Sequence, residues 1–175
     1  TDRIEEVVKW FQLAKDDSVL DVGTGTGILL PFLREAIGPK GRLVAIDFSF
    51  KMLEKAKTRQ FHGEKNIINA RVEAIPFRSD EFDRVTCFSA LPHFPNKASA
   101  LLEMVRVLKS GGTLSIAHLH SVEEINQFHQ EVGGPVAHDS LPHPERIRSL
   151  MKDSGLDEVS IVNQPGKFFA QGKKI

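Results

Sequence analysis

Apolar and polar positions change period repeatedly along the chain, alternating between the spacing of strands and that of helices. Ile4, Val7, Val8 and Phe11 recur at helical spacing, with Asp2 and Glu5 placed as a capping box at the start. "SVLDV" at 18–22 is a short apolar run interrupted by an acid, Asp21, and reads as a buried strand. Residues 26–37 return to helical spacing, with Pro31 tolerable near the first turn. "GRLVAID" predicts a second strand ending in Asp47, after which Ser49 caps a helix carrying Met52, Leu53 and Ala56. "NIINARV" and "FDRVTCFSA" read as the third and fourth strands. Residues 96–108 are helical by spacing, with Ala98, Leu101, Leu102, Val105 and Leu108 near one face and Gly111 as the stop. "GTLSIAHLH" is a fifth strand. Ser121 and Glu124 form a capping box for a short helix through Phe128, and "GGPVAHDSLPHP" is a loop. Pro144 opens a last helix that ends at Gly155. Strands near 157–163 and 167–173 close the chain as a hairpin around "QPG".

This alternation predicts a doubly wound α/β sheet, mostly parallel, with helices on both faces. Such sheets bind ligands beyond the carboxyl ends of their strands, where the strand order reverses. Asp21 and Asp47 sit at the carboxyl ends of successive strands and so converge there. Between them Gly23, Gly25 and Gly27 are spaced two apart. Glycine takes the backbone angles of a tight strand-to-helix turn and lets a ligand touch main chain. A helix starting near Thr26 would also turn amide N–H groups toward that space. The dinucleotide fingerprint needs a glycine at its sixth position. Here that position is Ile28 from Gly23, or Leu30 from Gly25, so the pyrophosphate loop is not reproduced. Asp47 lies 20 residues beyond Gly27, a distance that suits an acid accepting from ribose hydroxyls in either kind of nucleoside site.

Composition narrows the picture. The 175 residues fit one domain, and 41% apolar content supports a real core. Basic and acidic residues balance at 23 each, which leaves no basic field for nucleic acid. Cys87 is the single cysteine, so neither an intramolecular disulfide nor a cysteine-built metal cluster is expected, and a reducing, cytoplasmic setting fits. No apolar run approaches the ~20 residues that span a bilayer, and no signal peptide is visible. The chain begins at Thr1 rather than Met, so sequence ahead of it is expected.

"VLDVGTGTGIL", "LVAIDFSFKMLEKAK", "VEAIPFRSDEFDRVTCFSALPHF" and "EMVRVLKSGGTLSIA" occur in that order over residues 17–118. Together they resemble four successive motifs of class I S-adenosylmethionine-dependent methyltransferases, in the small-molecule branch related to the ubiquinone and menaquinone methyltransferases. The resemblance implies a Rossmann-like, seven-stranded sheet, mostly parallel with the last strand antiparallel. It implies one methyltransferase domain over 1–175, with an N-terminal helix in 1–14 and a substrate cap inserted at 119–143. It implies S-adenosyl-L-methionine as cofactor and S-adenosyl-L-homocysteine as product. In that reading Gly23, Thr24, Gly25 and Gly27 lie against the methionine part, and Asp21 helps to hold its ammonium. Asp47 takes both ribose hydroxyls, having two acceptor oxygens for two donors. Phe48 and Met52 cover the adenine, Val72 and Glu73 meet its edge, and Phe88 and Ser89 line the methyl end. One position departs from the pattern. Arg71 stands where relatives often carry an acid that accepts from the adenine amino group, and arginine cannot accept.

The resemblance implies in-line methyl transfer to a small acceptor through oxygen, sulfur or carbon, for which alignment and exclusion of water suffice. With a hydroxyl or a carbon acid as acceptor, a general base helps. "FSALPHF" lacks the Asn/Asp-Pro-Pro-aromatic motif that holds amides or amines, which counts against nucleic-acid and glutamine acceptors. Five of seven histidines fall between 118 and 143. His118 and His120 alternate on a strand and are expected on one face, and His93 follows the fourth strand. These three are the candidate bases, with His129 and His138 nearby in sequence, and no metal signature is matched. Leu91, Phe94, Phe128 and Val136 are candidates for an acceptor pocket or for ordinary packing. Two other functions stay open: a nicotinamide-dependent oxidoreductase, and a module that binds the cofactor without transferring methyl.

Overall fold

A computed structural model describes residues 2–175. Its strands are β1 (Ser18–Val22), β2 (Arg42–Asp47), β3 (Asn66–Asn69), β4 (Phe82–Phe88), β5 (Leu108–His118), β6 (Leu156–Gln164) and β7 (Lys167–Lys174). The helices are α1 (Asp2–Trp10), α2 (Leu30–Ile37), α3 (Phe50–Lys57), α4 (Lys97–Val107), α5 (Val122–Val132) and α6 (Pro144–Asp153). All seven strands form one sheet in the order β3-β2-β1-β4-β5-β7-β6. β1 to β5 pair in parallel, and β7 runs antiparallel to both β5 and β6. The expected Rossmann-like sheet with an antiparallel last strand is therefore present. Strand order reverses between β1 and β4, which opens a crevice above their carboxyl ends. Among the described residues no helix is long and apolar enough to cross a membrane.

Strand alternation divides the core into two. Val19, Leu43 and Ala45 face Val7 of α1, Phe11 in the turn that follows it, and Leu33 and Ile37 of α2. Leu20, Val22, Val44 and Ile46 face the side packed by Leu101 and Met104 of α4 and Ile147 and Met151 of α6. With both faces covered, the central strands read as near-continuous apolar runs.

Several boundaries differ from the sequence expectation, each for a local reason. α2 starts at Leu30 rather than 26, because Gly25 and Gly27 hold φ of 56° and 72°, outside the right-handed helix. Asp2 lies inside α1, and Glu5 pairs with Lys9 at 2.9 Å instead of closing a capping box. β3 ends at Asn69, so Val72 opens a short 3₁₀ turn. Leu108 begins β5 rather than ending α4, and Gly111 (φ 78°) lies within that strand. The caps at Ser49 and Ser121 form as read: each hydroxyl accepts an amide of the following turn, and Glu124 completes the box.

Candidate active site

The loop after β1 is fastened from inside. The Gly23 and Thr24 amides donate to the Ile46 carbonyl at 2.9 and 3.1 Å, and Gly27 donates to the Thr24 carbonyl at 2.9 Å. The Gly25 amide donates to Asp47 Oδ2 at 2.8 Å, while Ser49 donates to Asp47 Oδ1 at the same distance. These four loop amides are spent within the protein, so they offer no nest for a pyrophosphate. The three glycines serve different ends. A Cβ on Gly23 would stand 2.4 Å from that of Ala90, and one on Gly27 would press into Ala56 of α3. A Cβ on Gly25 would meet nothing within 4 Å, because that side of Gly25 faces open space.

That space is a cavity of about 530 Å³ above the crevice. Of the residues expected at a cofactor, Gly23, Gly25, Asp47, Phe48, Met52, Val72, Glu73 and Ser89 line it. Asp21, Thr24, Gly27 and Phe88 do not. Phe88 follows the alternation of β4 to the opposite side and packs with the α1–α2 core. Ser89 turns the chain at φ 52°, a strained angle for a non-glycine residue, at the cavity wall. Arg71 lines the cavity too, 3.7 Å from Glu73, so the departure noted in sequence stands at the rim beside a carboxylate. Pro135, Val136 and Asp139 close the far end from the segment between α5 and α6.

Asp21 lies beneath the loop, 2% exposed, and accepts from Thr86 Oγ1 at 2.8 Å. The buried Thr24 hydroxyl lies beside it. Burial pushes the Asp21 carboxyl up to about 6, against the pull of the neighbouring hydroxyls. The folded chain thus holds this proton more tightly than the unfolded chain does. Ionising Asp21 therefore costs stability, and the loss develops as pH rises from about 4 through about 6. Asp21→Asn keeps an acceptor for Thr86 and carries no charge. It is expected to exceed the native chain in stability by about 3 kcal/mol above pH ~6, with the difference fading below pH ~4. Urea unfolding of both chains across that range checks the sign.

The histidines are not placed as the strand pattern implied. His118 is the last residue of β5 and His120 lies beyond it, so the two do not share a face. His118 is buried against Phe168, its Nε2 has no partner, and desolvation with neighbouring histidines drives its pKa down to about 3. That is too weak a base to take a proton near neutrality. His120 is largely exposed, 4.0 Å from Glu124. Neither lines the cavity, so of the three candidate bases only His93 remains. Its Nδ1 stands 2.7 Å from Asp139 Oδ2, a partner that sequence reasoning missed. His138 is exposed, whereas His129 is buried and bonds the Asp139 carbonyl at 2.7 Å. Among the described residues no cluster of His, Cys, Asp and Glu is arranged to hold a metal.

A crevice at the strand-order switch, with an acid on β2 and a glycine turn after β1, defines a nucleoside-binding enzyme of the doubly wound class. Residues 20–116 match the methyltransferase-domain family, and the chain belongs to it. It is 30% identical to the ubiquinone/menaquinone biosynthesis C-methyltransferase UbiE of Pectobacterium atrosepticum, over 89% of this chain and 72% of that one. Identity to UbiE of Proteus mirabilis is 29%, over 91% and 74%. The fold superposes on the putative methyltransferase solved with the Trm112 activator from Haloferax volcanii (TM-score 0.83, 22% identity, 98% and 90% covered). It also superposes on a SAM-dependent methyltransferase of Aquifex aeolicus (0.77, 23%, 98% and 89%). The protein is a class I S-adenosylmethionine-dependent methyltransferase resembling UbiE. The site fits that cofactor. Each Asp47 oxygen accepts one amide and keeps a second acceptor position, Gly25 leaves main chain bare, and Phe48 and Met52 stand exposed beside both.

Proposed function

We propose that this chain methylates a carbon of a small, electron-rich hydroxyarene held between the cofactor site and the 119–143 segment, which acts as a cap on one methyltransferase domain. The observation that carries the reading is the single cavity joining Asp47 and Gly25 to His93 and the cap. The two relatives cited are C-methyltransferases of quinone biosynthesis by name, which is why carbon is preferred to oxygen or sulfur.

In this reading Asp47 grips the ribose diol with its two remaining acceptor positions, and Phe48 and Met52 cover the adenine. Val72 and Glu73 meet the adenine edge. Gly23 and Gly25 admit the amino-acid tail, and Ser89 borders the methyl end. Asp21, Thr24 and Gly27 support the loop from below. When bound, the cofactor supplies a methyl group already activated on a sulfonium. The chain must then align the acceptor and keep water out, which Phe94, Pro95, Pro135 and Val136 do at the far end. His93 Nε2 takes the acceptor's hydroxyl proton, which raises the electron density of the ring carbon under attack; as the methyl leaves sulfur for that carbon, the carbon's own proton is lost to solvent and the ring regains its aromaticity.

Calorimetry with S-adenosylhomocysteine, followed by turnover on a panel of hydroxylated benzenes and a naphthoquinol, tests the proposal. The expected result is micromolar binding and a methyl group on ring carbon, located by NMR of the product. Methylation at oxygen alone overturns the carbon assignment. Absence of binding at about 1 mM, with NADH binding instead, overturns the whole reading.

A further inference from the structure

We propose that Asp139, a residue of the cap, is the positioning residue of His93: it fixes the imidazole tautomer whose bare Nε2 faces the acceptor. The inference rests on the reading of His93 as base and names the group that makes it one.

An ionised carboxylate only accepts, so the 2.7 Å contact between Asp139 Oδ2 and His93 Nδ1 requires the hydrogen on Nδ1. That distance lies in the short range of bonds to charged acceptors. A neutral imidazole with its hydrogen on Nδ1 carries its lone pair on Nε2, the atom a general base uses. Both residues line the cavity, yet they stand 46 positions apart in the chain. The pair therefore exists only while the cap is seated on the sheet.

Both partners are held in turn. Asp139's own carbonyl bonds His129 Nδ1 at 2.7 Å, so the backbone that carries the carboxylate is fixed from α5. Two residues on, Leu141 bonds the Asn126 amide through both its N–H and its carbonyl, at 2.8 and 3.0 Å. On the other side Lys97 Nζ donates to the Pro92 and Phe94 carbonyls, both at 3.1 Å, which fastens the turn on either side of His93. A mere latch for the cap would need the contact but no particular tautomer, and the two roles separate experimentally.

The decisive readout is nitrogen-15 NMR of histidine-labelled full chain loaded with S-adenosylhomocysteine, at about pH 8. His93 is expected with Nδ1 protonated and Nε2 bare in the native chain, and with that assignment reversed or mixed in Asp139→Ala. Naphthoquinol turnover adds the kinetic arm. Asp139→Ala and Asp139→Asn are expected to lower kcat by at least about 100-fold, with the acceptor KM and the S-adenosylhomocysteine Kd within about twofold. Asp139→Glu restores part of the rate, and adding His93→Gln to Asp139→Ala lowers it little further. A bare Nδ1 in the native chain overturns the inference, as does a native tautomer in Asp139→Ala. So does a variant whose KM and melting temperature move while kcat holds, which is the behaviour of a latch. If His93→Gln loses turnover and Asp139→Ala does not, the inference fails while His93 remains the base. If His93→Gln turns over at the native rate, the base reading itself falls.

Discussion

Asp47→Ala is expected to bind S-adenosylhomocysteine at least about 100-fold more weakly than the native chain. The carboxylate is placed by two amides, Gly25 on Oδ2 and Ser49 on Oδ1, both at 2.8 Å. Asp47 lines the cavity, and in the proposed reading its remaining acceptor positions take the two donors of the ribose diol. Hydrogen bonds to a charged group contribute about 1.5–3 kcal/mol each, so losing two removes about 3–6 kcal/mol of binding. Asp47→Asn keeps one acceptor oxygen and is expected between the two. The alanine variant also leaves the Gly25 and Ser49 amides without their acceptor, so it melts lower, by the equivalent of about 1–2 kcal/mol. Calorimetry at a temperature where both variants remain folded separates affinity from stability. An alanine variant that binds within about threefold of native would remove Asp47 from the cofactor site.

The parts of this fold that the sequence makes legible are those where one physical signal acts alone. β1, β2 and β4 are buried on both faces, so their apolar runs stand out from the polar turns between them. Ser49 and Ser121 announce helix starts because a side chain must satisfy an amide that the backbone cannot. Errors arise where two signals compete. Residues 26–29 keep helical spacing, but the left-handed angles at Gly25 and Gly27 end the helix before it starts. Leu108 continues the apolar face of α4 by spacing, yet it pairs with Phe82 as the first residue of β5.

The same contrast runs through the site. The place of Asp47 at the cavity wall is legible because a strand's carboxyl end beside a glycine turn is a position with a geometric meaning. His118 and His120 mislead because the alternation rule was carried two residues past the end of its strand. Phe88 misleads because a residue at the end of a strand still obeys that strand's alternation and packs on the face away from the cavity. Asp139 gives no local signal at all. It lies in an aperiodic loop, and its meaning comes from a histidine 46 residues earlier that only the docking of the cap brings to it.

Alanine at Gly23 and at Gly25 is expected to fail in opposite ways, although the two positions are separated by one residue. Both have positive φ, 70° and 56°, which costs an L-residue about 1–2 kcal/mol. At Gly23 the added methyl carbon also stands 2.4 Å from that of Ala90, a contact that forces the loop or β4's exit to move. Overpacking of this kind costs a further 1–3 kcal/mol or so, for a total near 3 kcal/mol. Gly23→Ala is thus a stability variant, with a melting temperature lowered by several degrees and affinity lost only as the loop shifts. At Gly25 the methyl meets no protein atom within 4 Å, so stability falls by about 1 kcal/mol only. The same methyl stands in the cavity where the amino-acid tail is proposed to lie, so S-adenosylhomocysteine affinity is expected to fall at least about tenfold. Gly27→Ala is the internal control: it crowds Ala56 at 3.0 Å, off the cavity, and so shifts melting more than binding. A Gly25→Ala chain that melts close to native and still binds at native affinity would mean that the bare main chain of this turn serves the fold alone. The cofactor's tail would then have to lie elsewhere in the cavity.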